Sequence, residues 1–167
     1  MLVKSNPRIS SFRECIPFTK GYSVGSMQPY HLESIHESLP DYFSLSTLDV
    51  IREFNSKAYS KLVLKQILSN GVSSVVSKEG NLCGFILGVI APCIWDSDTL
   101  VLTEVAFYTK PEFKNKKVGY LLLNDYIAKC RDLKDKGYIH IFTLSQIEIS
   151  PDYSRFNMSK HETVWAS

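Results

Sequence analysis

Between Thr103 and Tyr120 the chain reads Thr-Glu-Val-Ala-Phe-Tyr-Thr-Lys-Pro-Glu-Phe-Lys-Asn-Lys-Lys-Val-Gly-Tyr, and two kinds of chemistry can be read from it. Glu104 is the one carboxylate inside an otherwise apolar run. Burial there disfavours the charged form and lifts the pKa toward neutrality, which suits a base; the same residue could equally serve a structural hydrogen-bond pair. Further on, a short basic loop runs into a helix start. The first N–H groups of a helix lack intrahelical partners and sit at the positive end of its dipole, so they can hold a phosphate. Lys110, Lys114, Lys116 and Lys117 add mobile positive charge, and Gly119 lets a ligand approach the backbone closely. The pattern fits a pyrophosphate cradle, although four lysines in a surface loop are also what an ordinary solvated face looks like.

Elements on both sides must hold these groups in place. Leu100 to Thr109 is rich in β-branched and aromatic residues and closed by Lys110-Pro111, which predicts a central strand. Val118 to Lys136 carries Val118, Leu122, Tyr126, Ile127, Cys130 and Leu133 as an apolar stripe and ends at Gly137, which predicts a helix. Upstream, Val72 to Ser77 and Leu82 to Ile90 flank the polar turn Lys78-Glu79-Gly80-Asn81 as a hairpin would, and Trp95 to Asp98 reads as a polar loop. Leu48, Ile51, Phe54, Ala58, Leu62, Val63 and Ile67 predict a long helix stopped at Asn70-Gly71. Met27 to Leu39 predicts another, ended by Pro40. Phe12 to Thr19, Tyr138 to Ser145 and Glu162 to Trp165 read as strands, and Pro151 to Asn157 as a short helical turn. The order is β-α-α-β-β-β-α-β-α-β, an α/β arrangement.

The composition excludes several classes. The 167 residues suffice for a single domain that buries roughly 70% of its unfolded surface, with no need of a metal or disulfide staple. Lys plus Arg (19) against Asp plus Glu (17) leaves +2, and 22% charged with 44% hydrophobic residues is an ordinary globular balance, not that of a polybasic coat. The longest apolar run, Leu82 to Ile94, is shorter than the ~20 residues of a membrane helix and contains Gly84, Gly88 and Pro92. The first residues lack the pattern of a secretory signal, which predicts a cytoplasmic protein whose Cys15, Cys83, Cys93 and Cys130 are reduced. These cysteines form no C-x-x-C pair, and His31 and His36 miss the i, i+4 spacing of two ligands on one helix face, so no metal is expected. His140, between Ile139 and Ile141, reads as a core histidine, and Asp96 and Asp98 as a solvated turn.

The strand "TEVAFYTKPEF", the helix start "KNKKVGYLLL" and the order of elements together resemble the GCN5-related N-acetyltransferase (GNAT) family, which carries an Arg/Gln-x-x-Gly-x-Gly/Ala motif at this junction. Lys114 fills the basic first position, Lys117 replaces the first glycine and Gly119 keeps the second. "VSSVVSKEGNLCGFILGVI" is similar to the family's second and third strands. "YSRFNMSKHETVW" is similar to its closing Tyr-x-x-Leu-Gly-Phe segment and final strand, with Asn157 in the glycine position, where Asn tolerates a left-handed backbone. The resemblance covers 47–165 as a CoA-binding core, and 1–45 is the variable part, within one domain over 1–167.

The resemblance implies a mixed, mostly antiparallel sheet with helices on both faces and a strand splay that admits CoA. It implies transfer of an acetyl group from acetyl-CoA to an amine in a ternary complex. The pantetheine arm would pair with Val105 to Thr109, and Lys114, Lys116, Lys117, Val118, Gly119 and Tyr120 would hold the pyrophosphate. An ammonium ion must lose a proton before it attacks, and Glu104 is the candidate base, acting directly or through a water. Tyr153 matches the family's general-acid tyrosine for the departing thiolate, against the alternative of a packed aromatic. The N–H of Phe107 or Tyr108 would polarise the thioester carbonyl. The expected partners are an amine-bearing acceptor, small molecule or protein, and a second copy in a homodimer, with neither nucleic acid nor membrane. Two alternatives stand beside this: a catalytically silent GNAT-fold binding protein, and nucleic-acid binding through Lys110 to Lys117 with Phe113 and Tyr120.

Overall fold

Glu79 and Gly80 both take positive φ, 51° and 81°, and Lys78 pairs with Asn81 across them. A two-residue turn with both central residues left-handed matches the twist of the strands it joins, so this turn sets the register of the central hairpin. In the computed structural model, which describes residues 21–45, 57–114, 117–145 and 152–160, the hairpin arms are β2 (Val72–Lys78) and β3 (Asn81–Cys93). Around them lie β1 (Tyr22–Gly25), β4 (Asp96–Thr109) and β5 (Ile141–Thr143), giving a sheet ordered β1-β2-β3-β4-β5. All pairs are antiparallel except β4 with β5, which run parallel. This is the mixed, mostly antiparallel sheet that the sequence led us to expect.

Strand alternation sends successive side chains to opposite faces, and each face is covered. Val76, Cys83, Ile86 and Leu102 pack under α3 (Val118–Asp135), with its Leu122, Tyr126, Ile127 and Cys130. Val75, Leu82, Phe85, Leu87, Ala106 and Tyr108 pack under α1 (Leu32–Ser44) and α2 (Lys57–Asn70), through Ile35, Leu39, Leu64 and Ile67. Burial on both faces explains why β3 reads as an unbroken apolar run. Gly137, at φ 73°, closes α3: its N–H donates to the Lys134 carbonyl and that of Tyr138 to the Leu133 carbonyl, a Schellman cap.

Several elements depart from expectation. Pro40 does not end α1, which continues to Ser44 behind a 3-10 turn at Pro29–His31. The ring's fixed φ is compatible with a helix, Pro40 is exposed, and Ile35 and Leu39 anchor the helix in the core. Trp95 to Asp98 is not a loop: β3 and β4 run on to a tight turn at Ile94 and Trp95, with Cys93 paired to Asp96. Tyr138 to Ser145 yields only Ile141–Thr143 as strand, because Tyr138 belongs to the helix cap and the chain leaves β4 after Thr143. His140 is exposed and not in the core; its Nδ1 accepts the Leu100 N–H at 3.0 Å and its own N–H donates to the Leu100 carbonyl at 2.9 Å. The strand at Tyr22–Gly25 was not anticipated. The strands expected at 12–19 and 162–165, and the start of the long helix at 47–56, lie outside the described residues.

Candidate active site

The parity of β4 changes at a single residue. Leu87 pairs with Ala106 while Gly88 pairs with Glu104, so Val105 is an extra residue, a β-bulge. Leu102 faces α3, yet Ala106 and Tyr108, an even number of positions further on, face α1 and α2. The Tyr42 hydroxyl of α1 donates to the Val105 carbonyl at 3.2 Å, and burial pushes the Tyr42 phenol up to about 12, with the Glu104 charge adding to the effect.

Beside the bulge the sheet opens. β5 pairs only with Val101, Leu102 and Thr103, so among the described residues β4 from Glu104 onward has no strand on that edge. Glu104 stands at the fork. Its side chain is buried, 7% exposed, and one carboxylate oxygen accepts the Ser145 N–H at 3.1 Å. Desolvation raises its pKa, and the Ser145 bonds only partly oppose this. The Tyr153 hydroxyl donates to the Ser145 carbonyl at 3.0 Å, so one peptide segment links the carboxylate and the phenol.

Tyr153 opens a four-residue 3-10 turn, Tyr153–Phe156, started by the Asp152 side chain accepting the Ser154 N–H and closed by Asn157 in the left-handed region (φ 54°, ψ 40°). The turn is fastened to α3 by a ring contact between Phe156 and Tyr120 and by the Arg131 guanidinium, which donates to the Phe156 carbonyl.

The Lys110 N–H donates to the Cys83 carbonyl at 2.9 Å. Counting back along an antiparallel ladder, the main-chain groups of Tyr108 are also spent on β3, whereas those of Phe107 and Thr109 face the open edge. Phe107 is thus placed to offer its N–H there, and Tyr108, its ring deep in the core, is not.

Lys117 caps α3 with φ 63° and ψ 0°, the left-handed conformation that a glycine adopts freely. The lysine therefore keeps the backbone path expected of the glycine it replaces, with some strain. Leu121 is the first residue to donate back to Lys117, at 3.0 Å, no side chain among the described residues caps the end, and the first turn holds no acidic residue. The N–H groups of Val118, Gly119 and Tyr120 are those left over at the helix start. Val118 is anchored in the core, Tyr120 is largely exposed, and a Cβ at Gly119 would stand 3.6 Å from the Phe107 ring and 3.9 Å from the Thr109 hydroxyl oxygen. The open edge of β4 and the α3 start thus lie against one another. Lys114 is exposed just ahead of α3, and Lys116 lies outside the described residues. Relieving the strain gives a first prediction: Lys117→Gly stabilises the fold by about 1 kcal/mol in urea denaturation.

A family model described as the acetyltransferase (GNAT) family matches residues 32–150. The chain belongs to the GNAT family. No curated relative matches at the sequence level. Solved structures similar to this GNAT chain include an acetyltransferase of Trypanosoma brucei (18% identity, 87% of this chain and 98% of that one, TM-score 0.63). The ribosomal-protein-alanine N-acetyltransferase of Brucella melitensis biovar Abortus 2308 is 11% identical over 88% and 98% of the two chains, with TM-score 0.61. AAC(6')-Iy, solved with the bisubstrate analog CoA-S-monomethyl-acetylneamine, is 14% identical over 87% and 96%, with TM-score 0.57. At these identities the likeness is one of fold, and it agrees with the sheet order and splay described above. Among the described residues no helix is long and apolar enough to cross a membrane.

Sequence reasoning put Val105 in the strand without its bulge and gave no site role to Ser145 or Tyr42. A bulge leaves no mark in a run of β-formers, and Ser145, which bonds Glu104 through its N–H and its side chain, is brought there only by the path of the chain after β5. Tyr42 lay beyond the helix end assigned at Pro40.

Proposed function

We propose that this chain transfers an acetyl group from acetyl-CoA to an amine by direct attack in a ternary complex. The observation that carries the reading is the fork itself: one buried carboxylate where β4 and β5 part, on the strand whose open edge meets the start of α3. The fit to acetyl-CoA rests on that juxtaposition. Phe107 and Thr109 turn main-chain groups outward as a strand does to a new partner, which suits the amides of a pantetheine arm. The N–H groups of Val118, Gly119 and Tyr120, with the charges of Lys114, Lys116 and Lys117 nearby, suit a diphosphate.

In this reading Glu104 takes a proton from the acceptor ammonium, directly or through a water, and the freed amine attacks the thioester carbon. The Phe107 N–H stabilises the oxyanion as the C–N bond forms. As the C–S bond breaks, Tyr153 gives its hydroxyl proton to the sulfur, letting go of the Ser145 carbonyl, and its phenolate regains a proton from the nitrogen of the collapsing intermediate, which leaves a neutral amide and free CoA thiol. The raised pKa of Glu104 makes it a stronger base at the moment of attack, at the cost of holding its proton to higher pH than an ordinary carboxylate. The acceptor is an amine on a small molecule or a protein, the setting is cytoplasmic, and the chain works as one domain or as a homodimer of it.

Calorimetry with acetyl-CoA, followed by a free-thiol assay across a panel of amines, tests the proposal. The expected result is saturable binding with amine-dependent thiol release. Binding without release for any amine would favour a silent binding protein, and no binding would overturn the reading.

A further inference from the structure

Val105 is the extra residue of the β4 bulge, and its carbonyl is left out of the ladder. The Lys110 N–H bonds the Cys83 carbonyl, so on β3 it is Cys83, Phe85, Leu87 and Val89 that turn main-chain groups toward β4. Leu87 meets Ala106 and Val89 meets Thr103, which leaves no β3 N–H for Val105. Its carbonyl accepts the Tyr42 hydroxyl instead, at 3.2 Å. A carbonyl has two lone pairs and a phenol one proton, so after this bond each oxygen keeps acceptor capacity and neither has a proton to offer. With its pKa pushed up to about 12 by burial and the Glu104 charge, the Tyr42 phenol keeps that proton. The pair borders solvent: Val105 is 41% exposed and Tyr42 is half-buried. Two acceptor oxygens thus stand side by side within the field of a carboxylate that pairs with no cation among the described residues. Such a place suits a group that brings several N–H donors and a positive charge.

We infer that the Tyr42 hydroxyl oxygen and the Val105 carbonyl bind the ammonium group of the acceptor and select a primary amine. The inference rests on the activity proposed above and supplies its acceptor end. A primary ammonium has three N–H bonds. One proton passes to Glu104, directly or through a water, and the two that remain tether the nitrogen to the Tyr42 and Val105 oxygens while its lone pair attacks. A secondary amine loses one of these tethers, and a quaternary ammonium brings charge with no N–H at all. The oxygens are held in place from below. The Tyr42 ring lies edge-on to the buried Tyr108, with centroids 6.4 Å apart, and tilts against Phe43 at 5.4 Å, so the hydroxyl is presented on packed support.

The test compares two cations of equal charge by 13C NMR of the free protein. Butylammonium chloride should shift the Tyr42 Cζ and Val105 carbonyl resonances along one saturating curve. Butyltrimethylammonium chloride, which has no N–H, should give no such curve. Tyr42→Phe removes one oxygen and keeps the ring, and it should weaken the butylammonium curve at Val105 about tenfold. In turnover the same variant should raise the acceptor KM about tenfold and leave the KM for acetyl-CoA unchanged. A tyrosine that only braces α1 against β4 would not distinguish the two cations. Equal curves for both, no curve for butylammonium, or a butylammonium curve that Tyr42→Phe leaves in place overturns the inference. The cation comparison needs only the wild-type chain, so it decides the matter even if the variant fails to fold. Because the NMR readout needs no acetyl-CoA, selective butylammonium binding in a chain that releases no thiol would refute the proposed activity alone, and thiol release with an unchanged acceptor KM in Tyr42→Phe would refute the inference alone.

Discussion

Glu104→Gln lowers kcat by about 10²- to 10⁴-fold, the usual contribution of a general base, with acetyl-CoA affinity unchanged. The amide keeps a carbonyl to accept the Ser145 N–H that Glu104 now accepts at 3.1 Å, so the fork keeps its shape and only the proton acceptor is lost. The pH dependence has a definite sign. Desolvation raises the Glu104 pKa, so wild-type kcat/KM climbs with pH through a limb above the ordinary carboxylate range, and the variant loses that limb. Stability follows the same linkage. A carboxyl whose folded pKa exceeds its unfolded value stabilises the fold fully below the unfolded pKa, and that contribution is lost as pH rises through the folded pKa. Glu104→Gln should therefore raise Tm at neutral and alkaline pH, with the gain vanishing in acid. Steady-state kinetics and thermal melts across pH check both halves, and a variant of wild-type rate would remove Glu104 from the chemistry.

Tyr153→Phe should lower kcat by about 10²-fold with little change in the KM for acetyl-CoA, as expected for loss of a general acid. The ring is buried beside α3 and stays packed without its hydroxyl. Its hydroxyl now donates to the Ser145 carbonyl at 3.0 Å, so part of any loss could come from freeing that segment. Leaving-group dependence separates the two roles. If Tyr153 protonates the departing sulfur, an acetyl thioester with a more acidic thiol regains much of the rate in the variant; if it only braces Ser145, every donor is slowed alike.

The parts of this architecture written in side-chain pattern were legible beforehand. The two-sided burial of β3, the polar hairpin turn at Lys78 to Asn81, the strand with Glu104 and the stripe of α3 all follow from which residues are apolar and at what interval. So did the left-handed backbone at Asn157, because few residue types tolerate it. The parts that depend on main-chain register were not. The Val105 bulge alters which face each β4 residue presents without altering its composition, and the choice of the Phe107 N–H over that of Tyr108 rests on a ladder bond from Lys110. β1, four residues long, is too short to show alternation and exists because β2 offers it an edge. Pro40 misled because its ring opposes helix interiors on average, while here core contacts at Ile35 and Leu39 outweigh one missing hydrogen bond.

Amide NMR during a titration with acetyl-CoA tests the central claim most directly. If the open edge at the fork seats the thioester, the N–H resonances of Phe107, Thr109 and Gly119 shift together and saturate at one equivalent, while those of α2 on the opposite face stay in place. Saturable binding that leaves Phe107 and Gly119 unmoved would contradict the account.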